Sequence, residues 1–324
     1  MLQQEAEQRS AVARPWSVGL WLYIGIAVVY HRSWEGVFSN PAVQNWATIL
    51  VSLTLQAAPF LVLGVLVSAA VSTLVPSSWI ERALPRSDLL AIPAAGVAGG
   101  VLPGCECSAA PVAARMVSRG VRPAVAFTFL LAAPAINPIV LVSTAVAFPG
   151  QPQMVFARGV ASFVAAVAVG FIWRRLTWKD DRLRPRLLSE HRHDEGFTAV
   201  ATHDFVQAGG FLVIGAALVA TLQTVVPADT VTSLGGHGLL AIVAMAVLAV
   251  VLSICSEADA FVASGLTGFP LSARLVFLVV GPMVDLKLIA LQTGVFGRRF
   301  SSLFAPLTFV TAVSVSAVIG TVLL

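Results

Sequence analysis

The sequence predicts an all-α integral membrane protein built from two inverted-topology repeats of five helical elements each, preceded by an extra N-terminal helix. Its 324 residues are 57% hydrophobic and 11% charged, which lies outside the usual range of soluble domains. The apolar stretches are long, without the roughly 10-residue alternating segments of a membrane β-barrel. Residues 56–76 return as residues 207–227 with 10 identities in 21 positions, and internal repeats in apolar chains are typical of transporters.

The repeat continues in the same order along both halves. LLAI at 89–92 recurs at 239–242, and PGCECSAAP at 103–111 corresponds to SICSEADA at 253–260. The chain is therefore predicted to have four segments. These are an N-terminal cytoplasmic segment with an anchor helix (1–45), a first transmembrane repeat (46–174), a cytoplasmic linker (175–204) and a second transmembrane repeat (205–324).

Seven long apolar stretches are the candidate spans, because a spanning helix needs about 20 mostly apolar residues. In chain order they are 16–30, an uncleaved anchor outside the repeats, then 46–75, 123–147, 153–173, 205–226, 271–297 and 303–323. Each half also holds a pair of shorter stretches, 89–102 with 105–118 and 237–252 with 255–267. Short apolar stretches are typical of re-entrant segments or half-helices. Each repeat thus has three long and two short elements.

Basic residues predict the orientation, since cytoplasmic loops retain Lys and Arg. The polar loop 174–204 holds seven of them: Arg174, Arg175, Lys179, Arg182, Arg184, Arg186 and Arg192. This loop is predicted to be cytoplasmic, with the N-terminus inside and the C-terminus outside. Each repeat crosses the membrane an odd number of times, so the second is inverted relative to the first. We expect a multi-pass protein of the inner (plasma) membrane, surrounded by the lipid bilayer.

The cysteines of the chain lie at the equivalent junction of the two halves, as Cys105, Cys107 and Cys255. Pro103 and Gly104 end one short helix, so the first two thiols lie near a helix N-terminus, where N–H groups and the helix dipole favour thiolate. Thiolates are soft ligands suited to Cu(I), Zn(II) and trivalent arsenic. The cysteines are therefore candidate metal ligands, although a buried thiol also serves as a small apolar packing residue.

Charged residues interrupt the apolar segments, and charge in a bilayer usually marks a transport pathway. Glu106 lies between two thiols with no evident neutralising neighbour, and Asp285 and Lys287 interrupt the segment 271–297. Residues two apart do not share a helix face, so Asp285 and Lys287 are expected to have different partners unless the helix is broken. A buried structural ion pair is the alternative interpretation for these two residues.

A break in the equivalent segment of the first half is indicated by AAPAINP. Pro134, Asn137 and Pro138 lie in the middle of this segment, where prolines remove backbone hydrogen bonds and expose carbonyls. Asn137 aligns with Asp285. The candidate substrate-binding residues are the polar side chains of the junctions and breaks. They are Cys105, Glu106, Cys107, Ser108, Asn137, Cys255, Ser256, Glu257, Asp259, Asp285 and Lys287.

Several function classes are excluded by missing motifs. The chain has no GxxxxGK[ST] phosphate-binding loop, no serine–histidine–acid set and no zinc-protease motif, so we expect no catalytic residues, no enzyme activity and no cofactor. A nucleic-acid partner is not expected either. The sequence leaves proton coupling and homo-oligomer formation open.

Three stretches of the first half carry a family resemblance: QAAPFLVLG at 56–64, PGCECSAAPVAARMVSRG at 103–120 and FLLAAPAINPIVL at 129–141. They resemble the predicted-permease family (YraQ/ArsP-like), which includes bacterial organoarsenical efflux permeases and members proposed to export copper or zinc. The resemblance covers nearly the whole chain after residue 46. It implies a polytopic inner-membrane permease in which Cys105 and Cys107 match the cysteines thought to contact trivalent arsenic.

The resulting hypothesis is a secondary-active permease that exports a thiophilic metal or metalloid from the cytoplasm, either a trivalent arsenical or Cu or Zn. The three cysteines would bind it, the four acids at the junctions and breaks would compensate charge or carry protons, and Lys287 would replace the substrate's charge in the empty state. Two alternatives stay open. One is a permease that holds a small anion or other small solute at half-helix N-termini. The other is a non-transporting membrane subunit that uses Cys105 and Cys107 as a thiol redox relay.

Overall fold

A computed structural model describes residues 40–74, 85, 87–101, 106–179, 197–225 and 238–324 of the chain. These residues form helices and no strand, which confirms the predicted all-α class. The chain divides into two compact units, Met1–Thr48 and Ile49–Leu324. Of the first unit the structure describes residues 40–48, the beginning of a helix at which Asn40 Oδ1 accepts a hydrogen bond from Ala42 N at 2.9 Å. The packing below belongs to the second unit.

Twelve helices follow one another in the described ranges, six in each predicted repeat. In the first half they are α1 (Pro41–Leu74), α2 (Asp88–Val101), α3 (Glu106–Ser118), α4 (Pro123–Ala135), α5 (Pro138–Ala147) and α6 (Pro152–Lys179). In the second half they are α7 (Phe197–Val225), α8 (Leu239–Leu252), α9 (Asp259–Gly265), α10 (Leu271–Val280), α11 (Leu286–Phe296) and α12 (Arg298–Leu323).

Five stretches of the described chain are long and apolar enough to cross a membrane: Pro41–Val67, Pro123–Ala147, Pro152–Leu176, Ala201–Thr224 and Arg298–Leu323. The second of them joins α4 and α5. The short apolar stretches of the sequence form α2, α3, α8 and α9, as predicted. The chain is therefore a multi-pass membrane protein. The predicted anchor 16–30 and most of the linker 175–204 lie outside the described residues, and the domain boundaries stay predictions.

The fourth element of each half is broken at the same place. In the first half α4 ends at Ala135 and α5 begins at Pro138, which confirms the break indicated by the prolines. In the second half α10 ends at Val280 and α11 begins at Leu286 after a turn that starts at Gly281. The apolar stretch 271–297 is thus two helices, because Pro282 interrupts the backbone hydrogen bonding of one continuous helix.

The two halves pack in the same order and exchange their short helices. Helix α2 packs on α4 and α4 on α6, while α8 packs on α10 and α10 on α12. Helices α6 and α12 contact each other between the halves. Helix α3 of the first half contacts α11 of the second, and α9 of the second contacts α5 of the first. This exchange brings the polar junctions together. The inverted membrane orientation of the repeats stays a prediction.

An aromatic cluster joins the halves at another place. The Phe127 ring of α4 lies 5.7 Å from the Trp173 ring, 5.3 Å from Phe296, 4.7 Å from Phe300 and 5.2 Å from Phe304, measured between centroids. Each such pair stabilises by about 0.5–1.5 kcal/mol beyond burial. The rings come from α4, α6, α11 and α12, so this cluster fixes α11, which carries Lys287, against the first half.

Candidate functional site

Two polar side chains cap the helices that follow the breaks. Asn137 Oδ1 accepts a hydrogen bond from Val140 N at 2.9 Å at the start of α5. Asp285 Oδ1 accepts one from Leu288 N at 2.6 Å at the start of α11. An N-cap side chain satisfies one of the backbone donors that a helix start leaves unpaired. The aligned residues Asn137 and Asp285 therefore share one local role, and both are completely buried.

Lys287 connects the two halves through a buried ion pair. Its Nζ lies 3.2 Å from Glu106 Oε1 at the start of α3 and 3.5 Å from Asp285 Oδ2. All three side chains are at most 2% exposed. The expectation that Glu106 lacks a neutralising neighbour is wrong, because Lys287 approaches it from the other repeat. Asp285 and Lys287 also contact each other, as the sequence allowed for a broken helix. Asp285 precedes the first residue of α11 and has an extended backbone, so the spacing of side chains on a helix does not apply to it.

Arg158 forms a second buried ion pair between the halves. Its Nη2 lies 2.7 Å from Asp259 Oδ2 and donates to the Ser256 carbonyl oxygen at 3.1 Å, while its Nη1 donates to Thr144 Oγ1 at 2.7 Å. The Arg158 side chain is completely buried in α6. It therefore holds the segment that leads from Cys255 into α9 against α5 and α6 of the first half.

The two ion pairs belong to one electrostatic cluster. Glu106 interacts electrostatically with Glu257, Asp259 and Asp285 as well as with Lys287. Glu257 is half-buried and also lies within electrostatic range of Arg158 and Lys287. The cluster holds four carboxylates against two cations, an excess of two negative charges when all are ionised. The predicted acids of both junctions are thus brought together.

Two of the three predicted thiols are buried within electrostatic range of Lys287. Cys107 at the start of α3 is 1% exposed and Cys255 is 2% exposed, and both interact electrostatically with the Lys287 ammonium. Cys105 lies outside the described residues. Among the residues that are described, no three His, Cys, Asp or Glu side chains form a metal-binding group. A site that uses Cys105 as a third thiol therefore stays a prediction.

Several oxygen atoms of the cluster make no hydrogen bond within the described part of the chain. They are Glu106 Oε2, Asp259 Oδ1, Asp285 Oδ2 and Ser256 Oγ, all fully buried. Buried polar atoms without partners are uncommon, and they often belong to functional sites. Ser108, the other predicted serine, is 7% exposed. Its backbone is approached so closely by Gly64 of α1 that a Cβ at position 64 would collide with the Ser108 Cα.

The repeat provides a matching glycine in the second half. Gly64 aligns with Gly215 of α7, and a Cβ at Gly215 would lie 2.8 Å from the Lys287 Cα. Both long helices thus use the same repeat position to pack against a helix that carries site residues. The identity of these glycines is visible in the repeat, but the helix that each one contacts is a tertiary property.

The site contains two residues that sequence reasoning missed, Arg158 and Thr144. Arg158 lies inside the predicted span 153–173. An arginine inside an apolar helix is itself a sign of a buried partner, and this signal was available. Thr144 gives no such signal, because hydroxyls are common in apolar helices.

The structure also has an apolar cavity between α5 and α6. A cavity of about 670 Å³ is lined by Leu141, Phe148, Pro152 and Phe156 among others. None of its lining residues is a thiol or a charged residue. The buried ionic cluster, and not this cavity, therefore carries the chemistry of the candidate site.

Comparisons with known proteins identify the family of the chain. The family model described as "Predicted permease" matches residues 42–321. The UPF0718 protein YcgR of Bacillus subtilis (strain 168) is 33% identical over 276 residues, which cover 82% of this chain and 93% of that protein. A Streptococcus mutans protein is 30% identical over 262 residues, 78% of this chain and 87% of its own length, and its name describes a subunit of a two-component membrane permease complex. No solved structure matches the chain. With a family model that spans all of α2–α11 and relatives that align over most of their length, the chain belongs to the predicted permease family.

Proposed function

We propose that this chain is a secondary-active permease of the plasma membrane that exports a thiophilic metal or metalloid from the cytoplasm. The substrate would be a trivalent arsenical or a soft or borderline metal ion such as Cu(I) or Zn(II). The observation that carries the proposal is the buried contact of Lys287 with Glu106 and Asp285 from both halves, with Cys107 and Cys255 buried within electrostatic range of the same ammonium. Family membership supports transport, and the substrate is our inference from the side chains.

The thiols supply the selectivity in this proposal. A soft ion gains most from sulfur ligands, whereas the carboxylates alone would favour hard cations. Cys107 and Cys255 come from opposite halves, so one ion held by both would link the two repeats. Cys105 would complete the ligand set from the same side as Cys107.

The charge of the cluster bears on the alternatives. A small anion would enter a buried region in which four carboxylates face two cations, and it would be repelled by every carboxylate that is ionised. A thiol redox relay would leave the acids and Lys287 without a role. The acids fit export better, because they compensate a cation or carry protons in exchange for it.

A transport panel tests the proposal. Everted membrane vesicles that contain the protein are offered silver(I), zinc(II) and a trivalent methylarsenical, each with and without a proton gradient, and accumulation is measured by mass spectrometry. We expect accumulation of at least one soft species above that in vesicles lacking the protein, and none of sulfate or phosphate. Accumulation of an anion alone would contradict the proposal. Purified protein in liposomes shows in addition whether this chain needs a second subunit, as the name of its Streptococcus relative suggests for that protein.

A further inference from the structure

The Lys287 ammonium contacts carboxylates of both repeats. It lies between Glu106 Oε1 of the first repeat at 3.2 Å and Asp285 Oδ2 of the second at 3.5 Å. Both carboxylates are buried, and Glu106 Oε2 makes no hydrogen bond within the described residues. We propose, on the basis of the proposed function, that Lys287 is a tethered counter-ion: it holds the cation position in the empty permease and moves to Glu257 when the exported cation binds.

The backbone of Lys287 is fixed, so that only its side chain can move. Gly215 of α7 packs against the Lys287 Cα, where a Cβ at position 215 would come within 2.8 Å. The Asp285 cap holds the first turn of α11 through Leu288 N at 2.6 Å. A lysine side chain has a flexible four-carbon stem that carries a compact point charge. The ammonium can therefore change carboxylates without a shift of α11.

Arg158 cannot take this role. Its guanidinium is held by Asp259, the Ser256 carbonyl and Thr144 in a three-contact arrangement. A planar fork that is bound at several points loses all of those contacts when it moves. The Arg158–Asp259 pair therefore stays in place while the Lys287–Glu106 pair opens, and the two ion pairs between the halves have different functions.

Glu257 is the carboxylate that receives the displaced ammonium. It is half-buried, unlike the completely buried acids around it, and it interacts electrostatically with both Glu106 and Lys287. In the empty permease Lys287 neutralises Glu106. In the loaded permease the cation takes the place beside Glu106, Asp285 and the thiols, and Lys287 neutralises Glu257. For silver(I) and zinc(II) the exchange transfers no electron, and a thiol that binds the ion does so as thiolate and releases its proton, so S–H is the one covalent bond that breaks.

A functional consequence follows for the return of the empty permease. A buried carboxylate without a counter-ion is strongly unfavourable, so an empty site without Lys287 would resist the conformational change. A loaded site has its own cation and does not need the lysine for this step. Loss of Lys287 is therefore expected to block net transport, which requires the empty return, and to leave exchange of one substrate ion for another intact.

The experiment compares these two modes in proteoliposomes. Purified protein and its Lys287→Gln, Lys287→Arg and Glu257→Gln variants are reconstituted, and silver(I), zinc(II) and a trivalent methylarsenical serve as isotopically labelled probes. Net uptake is measured into empty liposomes, and exchange is measured into liposomes loaded with the same unlabelled probe. Arg299→Gln, which removes an exposed cation at the start of α12, is the matched control and should leave both modes unchanged.

We expect loss of Lys287 to shift the equilibrium of the empty permease about 100-fold against its return, so Lys287→Gln should lower net uptake by about that factor. Exchange does not need the empty return and should stay within about threefold of the parent rate. Lys287→Arg should retain part of net uptake because it retains the charge. Glu257→Gln should lower net uptake and exchange by the same factor, since the ammonium then competes with the substrate in both modes.

Three results would overturn the inference: equal loss of both modes in Lys287→Gln protein that is reconstituted at parental abundance, unchanged net uptake in that variant, or a selective loss of net uptake in Glu257→Gln. If Lys287→Gln protein does not fold, Glu257→Gln still decides, because the inference predicts an equal loss of net uptake and exchange in that variant and a selective loss contradicts it. Absence of transport of all three probes by the parent protein would instead refute the proposed function.

Discussion

Arg158 and Lys287 have the same charge but different surroundings. Arg158 binds a carboxylate, a carbonyl and a hydroxyl, whereas Lys287 contacts two carboxylates. A guanidinium with several donors in a fixed geometry suits a permanent buried contact, and an ammonium on a flexible stem suits an exchangeable one. At the scale of single residues, the site therefore combines a fixed cation with a movable one.

Removal of one partner of the fixed pair should destabilise the protein. Asp259→Ala leaves the Arg158 charge buried and unpaired, and such a loss costs about 3–5 kcal/mol. The double variant Arg158→Met, Asp259→Leu removes both charges and should recover most of that stability. Thermal unfolding in detergent measures both, with Arg299→Met as the control for loss of an exposed arginine. An Asp259→Ala protein as stable as the parent would show that the pair does not hold the junction.

Loss of the Glu106 carboxylate should affect transport and not insertion. Glu106→Gln removes one of the two carboxylates at Lys287, and Asp285 Oδ2 at 3.5 Å stays to neutralise the buried ammonium, so we expect insertion to be retained. Transport driven by a pH gradient should fall to the level of vesicles without the protein, because the carboxylate that faces Lys287 is gone. Membrane abundance and proton-driven accumulation are measured on the same vesicles. Unchanged accumulation would return Glu106 to a structural role.

The sequence could not predict which residues form the buried ion pairs, because the partners are far apart in the chain. Glu106 and Lys287 are 181 positions apart, and Arg158 and Asp259 are 101 positions apart. The cost of buried charge predicts that each must have a partner, and on that ground the acids and Lys287 were found. Which residues meet depends on the exchange of short helices between the halves, and no local pattern encodes it.

Helices that are short or broken position most of the site. Glu106 and Cys107 begin α3, Asp259 begins α9, and Asp285 caps α11. Proline and the alternation of long and short apolar stretches predicted these elements, because proline removes a helical hydrogen bond wherever it lies. The break before α11 was harder to predict. The sequence indicated it only through Asp285 and Lys287, because two residues at this spacing cannot contact each other on a continuous helix.

The close approach of α7 to α11 can be tested with matched glycine variants. In Gly215→Val the new Cβ would lie 2.8 Å from the Lys287 Cα. Overpacking of this kind costs about 1–3 kcal/mol. Gly210→Val lies in the same helix with nothing within 4 Å of its Cβ, so it controls for the loss of a glycine in α7. We expect Gly215→Val to lower the melting temperature and the transport rate. Equal effects of both variants would contradict the packing.

The whole molecule is two halves that each complete the other's site. Helices α3 and α11 meet across the halves, as do α9 and α5, so neither half contains a complete cluster. The long and short elements of both halves, and their order, were predictable from the repeat because apolar length and proline position are local properties. Their mutual placement was not, since it depends on contacts between residues far apart in the chain.

The orientation of the halves in the membrane is a separate prediction. Because basic residues concentrate in the loop 174–204, a reporter inserted near Ser189 should be cytoplasmic. An odd number of crossings in the second repeat places a reporter fused after Leu324 on the outer side. Alkaline phosphatase and fluorescent-protein fusions at the two positions measure this. Activity of both fusions on the same side would contradict the inverted arrangement.

The central claim is that thiols from both halves bind the exported species, and serine replacement tests it most directly. Serine keeps approximate size and polarity but is a poor ligand for soft ions. The measurement is the rate of export of silver(I), zinc(II) and the trivalent methylarsenical by a variant with Cys105→Ser, Cys107→Ser and Cys255→Ser. Met245→Leu, which removes a buried sulfur from α8, is the control. The account predicts that the triple variant loses export of the soft species while the control retains it. A triple variant that exports the substrate at the parental rate would contradict the account.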